Sequence, residues 1–161
     1  MNFFLIFFAL CLNVFADDFD ITAPNEKSFY IIDGDSISLQ MRIKGIDTPE
    51  IRQRCQENKG VYVDCGLLAR NALDFAFKKS KGKVRIKNYG FDSYNRMLVK
   101  LYRDNNIDIG REMVRAGVAF SYGNEYKKEE ELAKSEKLGF WSYYQIPIKP
   151  KIWRNKNNIN K

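Results

Sequence analysis

Polar and apolar side chains alternate without a break over residues 36–43, and a period of two predicts a half-buried strand. The same alternation returns at residues 83–87. Apolar residues at positions 97, 99 and 101 predict another strand, and a short apolar run at residues 29–32 favours a further one. Short strands of this kind must hide both of their edges, which is most simply done by closing the sheet. The pattern therefore predicts a small β-barrel.

Apolar residues at helical spacing occur in three other segments of the chain. They predict helices within residues 67–79, at residues 109–116 and at residues 126–138, with Gly117 as a left-handed cap that ends the second helix. Strands that precede and follow one helix, with more helices at the end, are typical of an α+β domain. No parallel βαβ rhythm is present.

The chain contains no histidine, which excludes the Ser-His-Asp triad, the Cys-His pair and mixed Cys/His zinc sites. Its three cysteines are too few for a four-thiolate zinc site. Hydrolytic chemistry would therefore have to use carboxylates, arginines, lysines, tyrosines or an oxygen-ligated metal. A net charge of +7 favours a polyanionic partner, although a basic protein without such a partner has the same composition.

The N-terminal residues 1–16 have the properties of a signal peptide. They contain an uncharged apolar run too short for a membrane span, and Val14 and Ala16 give the small-x-small spacing that precedes a cleavage site. We expect export to the periplasm or the medium, with residues 17–27 as a leader into the fold. An uncleaved membrane anchor is the alternative, because Lys and Arg are missing before the apolar run.

Cleavage after Ala16 would remove Cys11 and leave Cys55 and Cys65. An even pair in an exported chain predicts a disulfide, and two free thiols are the alternative. Residues 143–161 are rich in Lys and Asn, and we interpret them as a loose basic tail. Such a tail could also associate with a membrane or cell wall.

Two acidic clusters occupy residues 33–36 (Asp-Gly-Asp-Ser) and 47–50 (Asp-Thr-Pro-Glu). Each has an ordinary structural explanation. Asp-Gly between two apolar runs is a hairpin turn signal, and Asp-Thr-Pro-Glu is typical of a turn or a helix start. Arg42 and Arg96 could likewise be solvated side chains on strands.

Taken together, however, the motifs and their order resemble the staphylococcal nuclease family over about residues 28–142. The matching segments are residues 33–36, 42–43, 45–50, 92–96, 114–119 and 139–142. The resemblance implies an oligonucleotide-binding (OB) barrel of five strands with three helices. It also implies a calcium-dependent endonuclease that cleaves DNA and RNA with low sequence specificity.

The resemblance further implies a role for each site residue. The carboxylates of Asp35 and Asp47 and the carbonyl of Thr48 would bind Ca²⁺, and Asp33 would support them. Glu50 would orient or deprotonate the attacking water. The scissile phosphate and the nucleotide would be bound by Arg42, Arg96, Tyr94 and Tyr122.

Single-stranded or locally melted nucleic acid is the expected substrate, bound by a monomer that needs no protein partner. A non-catalytic OB-fold protein that binds single-stranded nucleic acid is the alternative function. Ser93 and Asn95 stand where relatives often have a basic residue and a glycine, but the departure that most concerns the site is the hairpin before Arg42. Only six residues separate Asp35 from Arg42, where family members usually have a longer hairpin. This truncation affects the placement of Arg42 more than that of any other site residue.

Overall fold

The computed structural model describes residues 21–157, apart from residues 82 and 105. In this part of the chain two strands have seven or more residues and the others have four or fewer. The strands are β1 (Phe29–Ile31), β2 (Ile37–Leu39), β3 (Met41–Ile43), β4 (Ile46–Asp47), β5 (Cys55–Asn58), β6 (Val61–Val63), β7 (Val84–Phe91), β8 (Met97–Arg103), β9 (Ile107–Asp108) and β10 (Phe120–Ser121).

The described residues also form four α-helices and two short 3-10 helices. The α-helices are α1 (Cys65–Lys79), α2 (Ile109–Arg115), α3 (Lys127–Ser135) and α4 (Pro150–Lys156), and the 3-10 helices are Glu26–Ser28 and Gly139–Ser142. None of these helices is long and apolar enough to cross a bilayer. The predicted signal peptide at residues 1–16 lies outside the described residues.

The largest sheet is built around β8, whose inward-facing residues are all buried. Strand β7 pairs with β8 in antiparallel fashion, and β9 adds to β8 at the end of the sheet. On the other side β3 runs parallel to β8, with Met41 opposite Met97 and Ile43 opposite Val99. Arg42 lies between Met41 and Ile43 on β3. The parallel pairing with β8 therefore fixes its position relative to the core of the domain.

The strand predicted over residues 36–43 is in fact two strands with different partners. β2 pairs with β1 through a turn in which the amides of Ile32 and Asp33 donate to the carbonyl of Ser36. β3 pairs with β8 instead, and the carbonyl of Gln40 between the two strands accepts from the amide of Met97. Alternation indicates which face of a strand is buried but not which strand it pairs with, so this break could not be predicted from the pattern.

The sequence predicted a closed barrel of five strands with three helices. Of this prediction, only the mixed α+β class agrees with the structure. The ten strands of the described residues form four separate hydrogen-bonded sheets, and these sheets do not close into a barrel. The OB-fold that the resemblance implies is therefore not reproduced in its stated form. The helix count also differs, because α4 lies in the segment predicted as a loose tail.

The core lies between the central sheet and helices α1 and α2. Buried apolar side chains from these layers, from β4 and from the segments before β10 and α3 meet there: Ile46, Ala76, Met97, Val99, Leu101, Ile109, Met113, Val114, Ala119 and Tyr126. The Asp108 side chain caps α2 by accepting from the amide of Arg111. Gly117 follows α2 and has a φ of +69°, so the predicted left-handed cap is confirmed.

The predicted disulfide is present between Cys55 at the start of β5 and Cys65 at the start of α1. Both residues are buried. The bond links β5 to α1 across the intervening β6, in the part of the chain that follows the second acidic cluster.

We expect the double variant Cys55→Ser/Cys65→Ser to lower the free energy of unfolding by about 2–3 kcal/mol, because the disulfide restricts the unfolded chain. Urea denaturation of the two proteins measures the difference. Dithiothreitol should destabilise the wild type by a similar amount and leave the double variant unchanged. Equal stability of the oxidised wild type and the double variant would contradict a stabilising role.

Candidate active site

A cavity of about 450 Å³ opens between β3, the segment after β4 and helix α1. Five of the residues that the sequence analysis proposed as a site line this one cavity: Arg42, Asp47, Thr48, Glu50 and Arg96. Arg70 from α1 lines it as well. The cavity thus combines two carboxylates with three guanidinium groups.

Arg42 is held in the cavity by the strand that follows it. One of its terminal nitrogens donates to Oδ1 of Asp47 at 3.1 Å and to the carbonyl of Ile46 at 3.3 Å. Asp47 itself is fixed because β4 pairs with β10, and its side chain is only 8% exposed. The short hairpin before Arg42 therefore does not keep this arginine from reaching the cavity.

Arg96 reaches the cavity from a tight turn that precedes β8. Its Nε donates to Oδ2 of Asp92 at 2.8 Å, and Asp92 also accepts from the amides of Tyr94 and Arg96. Burial alone would raise the pKa of Asp92, but these hydrogen bonds outweigh it and hold the pKa below its ordinary value. Asn95 adopts φ +61° in this turn, a conformation that asparagine tolerates.

The two predicted nucleotide-contacting tyrosines each lie beside one of these arginines. The ring centroid of Tyr94 is 5.3 Å from the guanidinium carbon of Arg96, and that of Tyr122 is 5.9 Å from the guanidinium carbon of Arg42. Tyr94 is 67% exposed and Tyr122 is 55% exposed. Each arginine is thus paired with an aromatic face that is open to a ligand.

Asp33 and Asp35 lie elsewhere, in the exposed turn between β1 and β2. The amide of Asp35 donates to Oδ1 of Asp33, and the Ser36 hydroxyl donates to Asp35. Hydrogen bonding to Ser36 and Asp35 lowers the pKa of Asp33. Neither aspartate is among the residues that line the cavity, so the structure does not bring Asp35 together with Asp47.

Gln53, which the sequence analysis did not single out, organises the segment that carries Glu50. Its side chain is buried, accepts from the Glu50 amide at 3.1 Å and donates to the Ile148 carbonyl at 2.8 Å. Its own amide donates to the Glu50 carbonyl at 2.7 Å. Nothing in the local sequence distinguishes Gln53 from a solvated glutamine, because its partner lies far along the chain.

Gly66 brings helix α1 into direct contact with the same segment. A Cβ atom at this position would lie 1.7 Å from the carbonyl oxygen of Glu50 and 2.8 Å from Cα of Ile51. The amide of Gly66 donates to the carbonyl of Gln53 at 3.3 Å. Only glycine permits this approach of the two backbones.

A further arginine, Arg154 of α4, lies against both carboxylates of the cavity. Its NH1 donates to Oε1 of Glu50 at 2.5 Å and to Oδ1 of Asp47 at 3.4 Å, and its NH2 donates to Oδ2 of Asp47 at 3.3 Å. Burial would lower the pKa of Arg154, but its bonds to Glu50 and Asp47 raise it overall. In the sequence this residue is one of several basic residues in a Lys- and Asn-rich segment, so no signal could have selected it.

The family described as "Staphylococcal nuclease homologue" matches residues 40–143, which include Arg42, Asp47, Glu50 and Arg96. This match extends over more than half of the chain. The chain belongs to the staphylococcal nuclease homologue family.

Individual proteins similar to this family member are known from bacteria and fungi. An "Uncharacterized endonuclease" of Escherichia coli O157:H7 is 30% identical over 140 residues, which cover 78% of this chain and 82% of that protein. "Succinoglycan biosynthesis protein ExoI" of Rhizobium meliloti (strain 1021) is 29% identical over 69% of this chain and 61% of its own length. "Probable endonuclease LCL3" of Leptosphaeria maculans is 27% identical over 66% of this chain. The chain matches only 39% of the LCL3 protein.

The staphylococcal nuclease homologue family is metal-dependent, and the cavity contains oxygen groups of the kind that bind cations. Among the described residues, no three acidic or cysteine side chains converge in a way that could hold a metal ion. Two carboxylates do converge, because Asp47 and Glu50 both accept from the single nitrogen NH1 of Arg154. Two neighbouring carboxylates supply oxygen donors of the kind that hard divalent cations prefer.

Proposed function

We propose that this protein is a calcium-dependent endonuclease that hydrolyses phosphodiester bonds of DNA and RNA with low sequence specificity. The observation that carries the proposal is the meeting of Asp47, Glu50, Arg42 and Arg96 at one cavity in a member of a nuclease family. Relatives named as endonucleases, from Escherichia coli O157:H7 and Leptosphaeria maculans, support it further.

The proposed metal ligands are Asp47, the Thr48 carbonyl and, with a movement of its turn, Asp35. When bound, Ca²⁺ would supply a Lewis acid that polarises a phosphoryl oxygen. The residues that we infer to act on the substrate are the two arginines, since guanidinium forks match phosphate oxygens and stay charged at working pH. Arg42 uses a single nitrogen for Asp47 and Ile46, which keeps the rest of its fork for a phosphate.

Glu50 is the proposed proton acceptor for the attacking water. The chain has no histidine that could take this role, and a carboxylate within hydrogen-bond reach of a water can act as a general base. The side chain of the buried Gln53 accepts from the Glu50 amide, and the Gln53 amide donates to the Glu50 carbonyl. Such support keeps the carboxylate in a defined position relative to the phosphate.

Tyr94 and Tyr122 are the proposed contacts to the bases. Exposed aromatic faces next to arginines are the arrangement that binds single-stranded nucleic acid, because bases stack on the rings while the backbone meets the cations. Stacking needs unpaired bases, so single-stranded or locally melted DNA and RNA are the proposed substrates. We propose that the protein acts as a monomer.

Export is proposed together with this activity. The apolar N-terminal segment 1–16 has the spacing of a cleavable signal peptide, and the fold contains a disulfide between Cys55 and Cys65. Disulfides persist in oxidising compartments, which supports the periplasm or the medium as the location. An uncleaved N-terminal anchor would satisfy the same requirement.

Digestion of closed circular plasmid DNA and of RNA by the purified protein, with Ca²⁺ or with EGTA, tests the proposed function. A closed circle has no ends, so its cleavage requires an endonuclease. We expect cleavage of both substrates with Ca²⁺ and none with EGTA. Asp47→Asn should abolish cleavage, because it removes a proposed ligand while keeping the size of the side chain.

Asp74→Asn is the matched control, since Asp74 forms an exposed ion pair with Lys78 on α1 and does not line the cavity. It should cleave like the wild type. Cleavage that persists in EGTA would contradict calcium dependence. Salt-sensitive binding of DNA without any cleavage would instead support the non-catalytic OB-type binding protein.

A further inference from the structure

The guanidinium group of Arg154 lies between the two carboxylates of the cavity. It makes three hydrogen bonds to them, one to Glu50 and two to Asp47, and its side chain is 21% exposed. Arg42 also pairs with Asp47 at 3.1 Å. The two carboxylates are therefore already neutralised by positive groups of the chain itself.

The position of Arg154 is fixed by contacts of the segment that leads to it. The Ile148 carbonyl accepts from the buried side chain of Gln53 at 2.8 Å, and Pro150 at the start of α4 is fully buried. Earlier in the segment, the amides of Tyr144 and Gln145 donate to carbonyls of β5. These contacts dock α4 at the cavity, although residues 144–157 lie outside the family match at 40–143.

We propose that Arg154 is a built-in competitor of the divalent cation and sets the cation concentration at which the site is occupied. The proposal rests on the proposed function, because it takes Asp47 to be a ligand of the cation. Arg154 donates to both carboxylate oxygens of Asp47 and holds Glu50 beside them, so a cation that binds Asp47 must first displace this guanidinium. The apparent affinity for the cation is the intrinsic affinity multiplied by the fraction of molecules in which Arg154 has left the carboxylates.

Isothermal titration of Ca²⁺ into the intact protein, without nucleic acid, tests this competition independently of cleavage. Arg154→Gln should lower the Kd for Ca²⁺ by about tenfold or more. In the wild type the cation must break hydrogen bonds between charged groups, which are stronger than neutral ones, and the variant lacks them. Arg154→Lys keeps the charge but loses the fork, and its Kd should lie between the two.

Lys151→Gln is the matched control, since it removes one positive charge from the same helix at an exposed position. Its Kd should equal that of the wild type. Thermal melting without Ca²⁺ checks that Arg154→Gln is folded. Equal Ca²⁺ affinity of wild type and Arg154→Gln would overturn the proposal, and so would an equal gain of affinity in Lys151→Gln.

The outcomes also separate this inference from the proposed function. Calcium-dependent cleavage by the wild type, with no change of Kd in Arg154→Gln, would overturn the role of Arg154 alone. Absence of Ca²⁺ binding by both wild type and Arg154→Gln would overturn both ideas. Tighter Ca²⁺ binding by Arg154→Gln, in a protein that cleaves nothing, would support the competition and contradict only the nuclease function.

Discussion

Glu50→Gln is expected to lower kcat for cleavage of a single-stranded oligonucleotide by about 10²–10⁴-fold, the range that general bases contribute. Glutamine has the size of glutamate and its carbonyl can still accept from Arg154, so the surrounding contacts should persist. What it cannot do is take a proton from water at neutral pH. KM should change little, because the arginines proposed to bind phosphate are untouched.

Steady-state cleavage of a fluorogenic oligonucleotide at saturating Ca²⁺ measures both constants. Glu131→Gln is the control, because it makes the same chemical change at an exposed position of α3 that does not line the cavity. It should match the wild type in kcat and KM. A kcat for Glu50→Gln within about threefold of the wild type would show that another group accepts the proton.

Gly66→Ala is expected to lower the free energy of unfolding by about 3 kcal/mol or more, at the upper end of the cost of overpacking. The added Cβ would meet backbone atoms of Glu50 and Ile51 rather than a flexible side chain, so helix α1 or the Glu50 segment must move. In a domain of this size the Tm should fall by about 6 °C or more. Displacement of Glu50 by about 1 Å would also cost about 10²-fold in cleavage rate.

Differential scanning calorimetry with a cleavage assay measures both effects. Gly34→Ala is the matched control, since a Cβ at Gly34 meets nothing within 4 Å and the residue does not adopt a positive φ. Its Tm should stay near that of the wild type. If the Tm of Gly66→Ala equals that of Gly34→Ala, the close contact between α1 and Glu50 does not limit stability.

Features that depend on neighbouring residues could be predicted from the sequence. Helix α1 follows from apolar spacing within the predicted 67–79, and the turn before Arg96 follows from its Asp, Ser and Asn residues. The left-handed Gly117 is signalled by its position after an amphipathic segment. In each of these the pattern and the hydrogen bonds that satisfy it lie within one element or turn.

Features that depend on distant residues could not be predicted in this way. The break at Gln40 is set by pairing with β8, and the burial of Gln53 is set by the Ile148 carbonyl. Arg154 carries no local mark that separates it from the lysines around it. Motif resemblance indicated five residues of the cavity, but it gave no information about a helix outside the matched region.

The parallel pairing of β3 with β8 has a consequence for the order in which the protein folds. Met41 pairs with Met97, which lies 56 positions later in the chain, whereas β7 and β8 are joined by a short turn. Loop-closure entropy favours the local hairpin first and delays the long-range pairing that positions Arg42. The contact of Gln53 with Ile148 spans 95 positions and needs the last part of the chain. The cavity is therefore completed only after the segment that carries Ile148 has been synthesised and has docked against Gln53.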